Sequence, residues 1–214
     1  MQQQCLGYCQ NSLLLPVRYI MLSTVIAKPT KRCNADCSFC CAPQDGVPAW
    51  SLDDFKQLFD KIQPHLTSEA VWLWHGGEPT LMGRRFFELS YEYAVSQHPG
   101  IRFSIQTNLL SYKRDAWKEI FNHIFEGRLS TSFDPGPSLR TIGGSADRYA
   151  KLFFRALEDC LDDGFHPMVI GTYTDFTAQY ADEMYDRNLD YGQASFDIRC
   201  NYRYPAEETR AGVN

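Results

Sequence analysis

The apolar positions of this chain fall into short compact runs that alternate with stretches of helical spacing. An apolar run from about Tyr19 to Ile26 stops at Lys28-Pro29 and predicts a first strand. Leu52, Phe55, Leu58, Phe59 and Ile62 then share one helix face, and Ser51 with Asp54 three residues on has the form of a capping box. Val71-Trp72-Leu73-Trp74 predicts a buried second strand, and residues 84–97 a helix ended by Pro99-Gly100. Ile101, Phe103 and Ile105 alternate with polar neighbours as a third strand does. Trp117, Ile120, Phe121, Ile124 and Phe125 form another helix face, closed by Gly127. Residues 129–133 read as a fourth strand ending at Asp134-Pro135-Gly136. Tyr149, Leu152, Phe153, Ala156, Leu157, Cys160 and Leu161 mark the most regular helix of the chain. Met168-Val169-Ile170 predicts a fifth strand, residues 178–188 a helix, and residues 195–198 a sixth strand.

Six strand–helix steps with short connections imply parallel strands and helical crossovers, hence an α/β fold. A partial (β/α)6 TIM-like barrel whose last helix is missing and an open doubly wound sheet both fit. In either, ligands collect at the carboxyl ends of the strands. The unusual residues follow strands one to four: a cysteine loop, His75-Gly76-Gly77-Glu78-Pro79, Gln106-Thr107-Asn108, and Ser132 with Asp134. Residues 1–20 show little periodicity and Met21 stands just before the first strand. The expected organisation is therefore a dispensable tail over 1–20, with translation from Met21, and one core domain over 21–214.

Composition narrows the class. With 21 basic and 26 acidic residues the formal charge is −5, which opposes non-specific nucleic-acid binding. Hydrophobic content of 44%, with 14% aromatics, excludes a disordered chain. No apolar run approaches the ~20 residues of a membrane span. Eight cysteines tempt one toward disulfides, yet half of them crowd between Cys33 and Cys41, and the amino terminus lacks a basic, signal-like start. A reducing cytoplasm, where such clusters serve metal or redox chemistry, is the expected location. Cys160 lies on an apolar helix face and reads as core; Cys5, Cys9 and Cys200 have no obvious role.

Cys33, Cys37 and Cys40 have the spacing C-x3-C-x2-C. Three thiolates from one loop suit an iron–sulfur cubane with one iron left open to substrate, by analogy with an open catalytic metal site. Cys41 adjoins Cys40, and consecutive side chains rarely point at one centre. A zinc site from this loop with His65 or His75 is the plainer alternative.

The loop resembles the signature of the radical S-adenosylmethionine (radical SAM) enzymes, C-x3-C-x-aromatic-C, matched by Cys33, Cys37, Phe39 and Cys40. Gly76-Gly77-Glu78-Pro79 is similar to that family's GGEP loop and stands after the second strand, as it should. The resemblance implies a [4Fe–4S] cluster on the three cysteines and S-adenosylmethionine on its fourth iron. One electron from the cluster would break a carbon–sulfur bond of the sulfonium, and the 5′-deoxyadenosyl radical released would take a hydrogen atom from substrate. It implies that Gly76 and Gly77 let the backbone approach the methionine amino group, that Glu78 with Pro79 fixes the loop, and that Phe39 packs near adenine. By the same resemblance Gln106, Asn108, Ser132 and Asp134 contact ribose or methionine, Arg140 pairs with the methionine carboxylate, and Val169-Ile170-Gly171 lines the adenine pocket.

Within the family the chain is most similar to peptide- and protein-modifying maturases, among them anaerobic sulfatase maturases. Lys28-Pro29-Thr30, residues 74–81 and Ser132-Phe133-Asp134 carry that likeness. It implies a peptide or protein substrate and a reductant such as flavodoxin or ferredoxin. Those enzymes continue into a cysteine-rich SPASM domain, whereas only Cys160 and Cys200 follow Cys41 here. A truncated form, or a short variant whose partner chain completes the barrel, is then the expectation. A radical enzyme acting on a small metabolite and an inactive iron–sulfur or zinc module are the competing readings. Tyr173, Asp175 and Asp197 are unranked pocket residues.

Overall fold

Six strands lie side by side in chain order, every neighbouring pair parallel. The computed structural model describes residues 21–40, 46–134, 140–172, 177–183, 186 and 196–199. The strands are β1 (Leu22–Ala27), β2 (Leu66–Trp74), β3 (Arg102–Gln106), β4 (Leu129–Ser132), β5 (Met168–Thr172) and β6 (Phe196–Arg199). Between them run α1 (Leu52–Ile62), α2 (Arg84–Gln97), α3 (Arg114–His123) and α4 (Ala146–Asp162). Parallel neighbours demand crossovers of one hand, so the helices gather on one face and the sheet curls away from them. Among the described residues nothing pairs β6 back to β1. The architecture is an α/β partial (β/α)6 barrel, open along that seam; the segment after β6 lies outside the described residues.

Register assigns the two faces. Val25 pairs with Trp72 and Trp72 with Phe103, while Trp74 pairs with Ile105. Trp72, Trp74, Phe103 and Ile105 are fully buried beneath Phe55 and Phe59 of α1 and Phe87 of α2. The Phe55 ring meets both Trp72 and Trp74 at 5.4 Å between centroids. Burying each such ring contributes about 1.5–3 kcal/mol, which makes this the main cohesive mass of the fold. By strand alternation the opposite, concave face carries Leu73, Ser104, Gln106, Ser130 and Ser132.

Local chemistry sets the element ends. The capping box at Ser51 forms: its hydroxyl accepts from the Asp54 N–H, and the Asp54 carboxylate accepts from the Ser51 N–H at 2.7 Å. Ser145 caps α4 through its side chain alone, which accepts from the Arg148 N–H. α3 and α4 begin several residues before their first apolar position, because their first turns are polar. Phe125 lies beyond α3, in a turn where Glu126 and Gly127 take positive φ. β2 begins at Leu66 rather than Val71. Leu66 pairs with Leu22, and an irregularity then carries Thr24 onto Val71 across a polar stretch that hides the strand in the sequence. Of the helix expected over 178–188, the described part is a 3-10 turn at Ala178–Tyr180 followed by helical residues 181–183 and 186. Residues 1–20, Cys41, Pro135, Gly136, Tyr173, Asp175 and Cys200 lie outside the described residues; Asp197 pairs through its backbone with Ile170.

Candidate active site

The loops after β1, β2, β3 and β4 meet at the carboxyl end of the sheet, and the cysteine loop is tied to each of the other three. The first tie extends the β1–β2 pairing beyond the strands. The N–H groups of His75, Gly77 and Glu78 donate to the carbonyls of Ala27, Thr30 and Arg32 at 2.8–2.9 Å. Gly76 sits at φ 124, and a Cβ there would stand 2.5 Å from the Thr30 carbonyl oxygen. A Cβ on Gly77 would stand 2.2 Å from the Arg32 carbonyl oxygen. The glycines thus admit the cysteine loop's own backbone, a use that the sequence did not reveal. His75 Nδ1 accepts from the Gly76 N–H, so this histidine caps its own turn.

Glu78 is the hub of the second tie. Fully buried, its Oε1 accepts from the Thr80 N–H, the Thr80 hydroxyl and the Thr107 hydroxyl at 3.0, 2.7 and 2.8 Å. Its Oε2 accepts from the Asn108 N–H at 2.7 Å. Burial pushes the carboxyl pKa up, and these donors oppose that by favouring the ionised form. The strut therefore locks the β2 loop to the β3 loop. Asn108 continues it, donating to Asn34 Oδ1 at 2.7 Å and to the Cys33 sulfur at 3.7 Å, while Asn34 donates to the Ser111 hydroxyl. Gln106 is held between Ser130 and Ser132 on the concave face.

The third tie comes from β4. Arg140 pairs with Asp134 at 2.7 Å, with side-chain exposures of only 12% and 3%, and its guanidinium lies 5.1 Å over the Phe39 ring. Burial alone would weaken the Arg140 cation, but the adjacent Asp134 charge more than restores it. Tyr149, buried on α4, stands beside this pair, and burial pushes its phenol pKa up. Asp36 bonds with Thr141 and Gly144. Sequence reasoning assigned no site role to Asp36, Thr141, Thr107 or Tyr149. Only the place of Asp36 between two cysteines offered a signal.

Gln106 and Ser132 stand at the ends of β3 and β4, and the other residues expected to hold the cluster or the methionine and ribose groups fall on these loops. Phe39 stacks on Arg140, Asp134 pairs with it, and Ser132 bonds to Gln106. Val169 instead packs in the hydrophobic core. Cys33 and Cys37 are half-buried and Cys40 is exposed. Burial pushes the Cys33 thiol up to about 11, with the Ala35 N–H opposing and Glu78, Cys37 and Cys40 adding to the rise. Cys37 is raised by burial, against the pull of Arg140 and of the Thr141 N–H on its sulfur.

Comparison with known proteins decides the class. The family profile described as "Radical SAM superfamily" matches residues 27–192. The chain belongs to the radical SAM superfamily. A serine-type anaerobic sulfatase-maturating enzyme of Klebsiella pneumoniae is 32% identical over 106 residues, 45% of this chain and 27% of that protein. An uncharacterized protein of Methanothermobacter thermautotrophicus is 23% identical over 78% of this chain and 64% of its own length. Native anSMEcpe with bound AdoMet and Kp18Cys peptide superposes with a TM-score of 0.69 at 19% identity, covering 82% of this chain and 50% of that one. Streptococcus suis SuiB bound to precursor peptide SuiA gives 0.59 at 18% identity, covering 84% and 39%. At such identities the likeness is one of fold. The chain spans about a quarter of the curated Klebsiella relative and half of the anSMEcpe chain.

Radical SAM proteins use a [4Fe–4S] cluster and S-adenosylmethionine, and the donor set here suits the cluster. Three thiols share one loop within electrostatic reach of one another, and the Ala35 and Thr141 N–H groups favour the thiolate forms of Cys33 and Cys37. Such donors are most effective when sulfur carries the negative charge of a ligated thiolate. Among the described residues no group of three or more His, Cys, Asp or Glu side chains, the three cysteines included, is placed to hold a single metal ion. Among them, too, no helix is long and apolar enough to cross a membrane.

Proposed function

We propose that this chain is a radical SAM enzyme that modifies a side chain of a peptide or protein. Cys33, Cys37 and Cys40 hold the [4Fe–4S] cluster in this reading, and Phe39, Gly76, Gly77, Glu78, Gln106, Asn108, Ser132, Asp134 and Arg140 form the S-adenosylmethionine site. The bound pair supplies a one-electron cleavage of the sulfonium and a hydrogen-abstracting 5′-deoxyadenosyl radical. The protein's part is placement. The Glu78 strut sets the height of the cysteine loop against the β2 and β3 loops. Asp134 and Phe39 orient the planar Arg140 fork, the group suited to a methionine carboxylate. The Gln106–Ser130–Ser132 ladder would offer hydroxyl and amide groups to the methionine or ribose.

The observation that carries the proposal is the convergence of the loops after β2, β3 and β4 on the cysteine loop in a chain of this superfamily. The peptide class rests on the sulfatase-maturating relatives and on neighbours solved with peptides. Residues 21–214 constitute the core, with 1–20 a tail, working in a reducing cytoplasm with an external one-electron donor such as flavodoxin or ferredoxin. The test is anaerobic reconstitution followed by iron and sulfide analysis and assay of 5′-deoxyadenosine under strong reductant, with Cys37→Ala as control. Cofactor cleavage by the native chain alone is expected, together with a mass change in a peptide encoded beside the gene. A chain that binds iron and sulfide but never cleaves the cofactor refutes the enzyme reading.

A further inference from the structure

The loop after β3 points one side-chain amide at the cysteine loop, and the direction of that amide is fixed by its partners. Asn108 Oδ1 accepts from the Leu110 N–H at 3.0 Å. A backbone N–H can only donate, so the amide oxygen belongs there and the nitrogen faces the cysteine loop. That nitrogen carries two hydrogens. One goes to Asn34 Oδ1 at 2.7 Å, and the other lies toward the Cys33 sulfur at 3.7 Å, a distance that suits the larger sulfur atom. Asn34 is itself committed, its own nitrogen donating to the Ser111 hydroxyl at 3.0 Å. The backbone beneath is held as firmly. The Asn108 N–H donates to Glu78 Oε2 at 2.7 Å, and the Leu109 N–H to the Thr107 hydroxyl at 3.1 Å. Leu109 is buried and takes a φ of 60, a left-handed conformation that strains a residue with a side chain. Such strain persists only where the surroundings over-determine the turn, as these bonds do.

We propose that Asn108 is a positioning residue whose second amide hydrogen is directed at the Cys33 sulfur and makes the cluster on this loop easier to reduce. This inference rests on the reading that the three cysteines hold a cluster, and it adds a role on the cluster side to the place of Asn108 in the S-adenosylmethionine site. A thiol sulfur is a weak acceptor. A ligating thiolate is a stronger one, because hydrogen bonds to ionised groups are the strong ones, and an added electron strengthens it further. A donor fixed at that sulfur therefore favours the reduced state, and hydrogen bonds to sulfur are among the features that set iron–sulfur potentials.

The test uses the full chain reconstituted anaerobically without S-adenosylmethionine, so that a contact to that cofactor cannot contribute. Iron and sulfide are counted, and the midpoint potential is followed by electron paramagnetic resonance. Asn108→Asp keeps an acceptor for the Leu110 N–H but has no hydrogen to give; Asn108→Ala removes the amide without adding charge. Both are expected to be reduced less readily, by roughly three- to tenfold for Ala, or ~30–60 mV for one electron, and further for Asp. In the native chain, with isotope-labelled nitrogen in its asparagine side chains, electron–nuclear double resonance on the reduced cluster is expected to show a nitrogen coupling that both variants lose. Where the variants fail to hold a cluster, that native coupling alone supports the inference, and its absence overturns it. Native potentials in both variants also overturn it, and if S-adenosylmethionine binding is weakened at the same time, Asn108 serves that cofactor alone. A native chain that binds no iron and sulfide overturns the underlying reading instead, so the two failures are distinguishable.

Discussion

The two faces of the sheet are held together by different physics. Beneath the helices, the Phe55 ring touches Phe59, Trp72, Trp74, Phe86 and Tyr93, all between 5.4 and 6.5 Å. Dispersion and hydrophobic burial are non-directional, so several neighbours share each ring and a reshaped side chain can repack. At the strand ends cohesion runs through single donors and acceptors. Glu78 alone receives two N–H groups and two hydroxyls, and no neighbour is placed to replace it. Removing one partner there leaves buried polar groups unsatisfied, which costs more than the bond itself contributed. The aromatic side confers stability with tolerance; the strand-end side confers geometry without it.

The sharpest test of that contrast is Glu78→Leu. It strands the donors of Thr80, Thr107 and Asn108, each buried unsatisfied group costing about 1–3 kcal/mol, so a loss of roughly 3 kcal/mol or more is expected by urea denaturation. Glu78→Gln should recover only part of it, because one amide oxygen replaces two acceptors. Gly77→Ala comes next. Its Cβ would collide with the Arg32 and Lys31 carbonyls, at 2.2 and 2.5 Å, and backbone cannot yield cheaply. A loss of about 1–3 kcal/mol is expected, with reconstituted iron falling much further than the melting temperature. Ile105→Leu, in the fully buried core, should cost less than about 1.5 kcal/mol and leave iron content unchanged. Equal losses from Ile105→Leu and Gly77→Ala would erase the distinction.

The smallest effect concerns pH. Cys160, on the buried face of α4, has its thiol pushed up to about 12 by burial, from an ordinary value of 9.0. Below pH 9 folded and unfolded chains both keep that proton. Between about 9 and 12 the unfolded chain releases it first, so stability falls as pH rises. Tyr112 and Tyr149, also raised by burial, act with the same sign. Thermal melts of the metal-free chain should decline across this window, and Cys160→Ala should flatten part of the slope. Alkylation at neutral pH, mapped by peptide mass, should mark exposed Cys40 ahead of Cys33 and Cys37 and spare Cys160. A Cys160 labelled as fast as Cys40 would show the aromatic side to be loosely packed.

Much of this was legible in one dimension. Helix and strand periods are local, so the spacing of Phe55 and Phe59, or of Phe103 and Ile105, declared six strand–helix steps before any coordinates. The Cys33–Cys37–Cys40 loop and Gly76-Gly77-Glu78-Pro79 are contiguous, so their resemblance to the radical SAM motifs could be read from the sequence. What the spacing left open is whatever joins one loop to another. That the glycines make room for the Thr30 to Arg32 backbone, that Glu78 reaches Thr107 and Asn108, and that Asp36 grips Thr141 all follow from parallel strands set side by side in register. Register brings together residues 29 to 105 positions apart, over which no local period carries information. The chain alone therefore declared its elements and the family that its motifs resemble, and the sheet decided which loops those motifs meet.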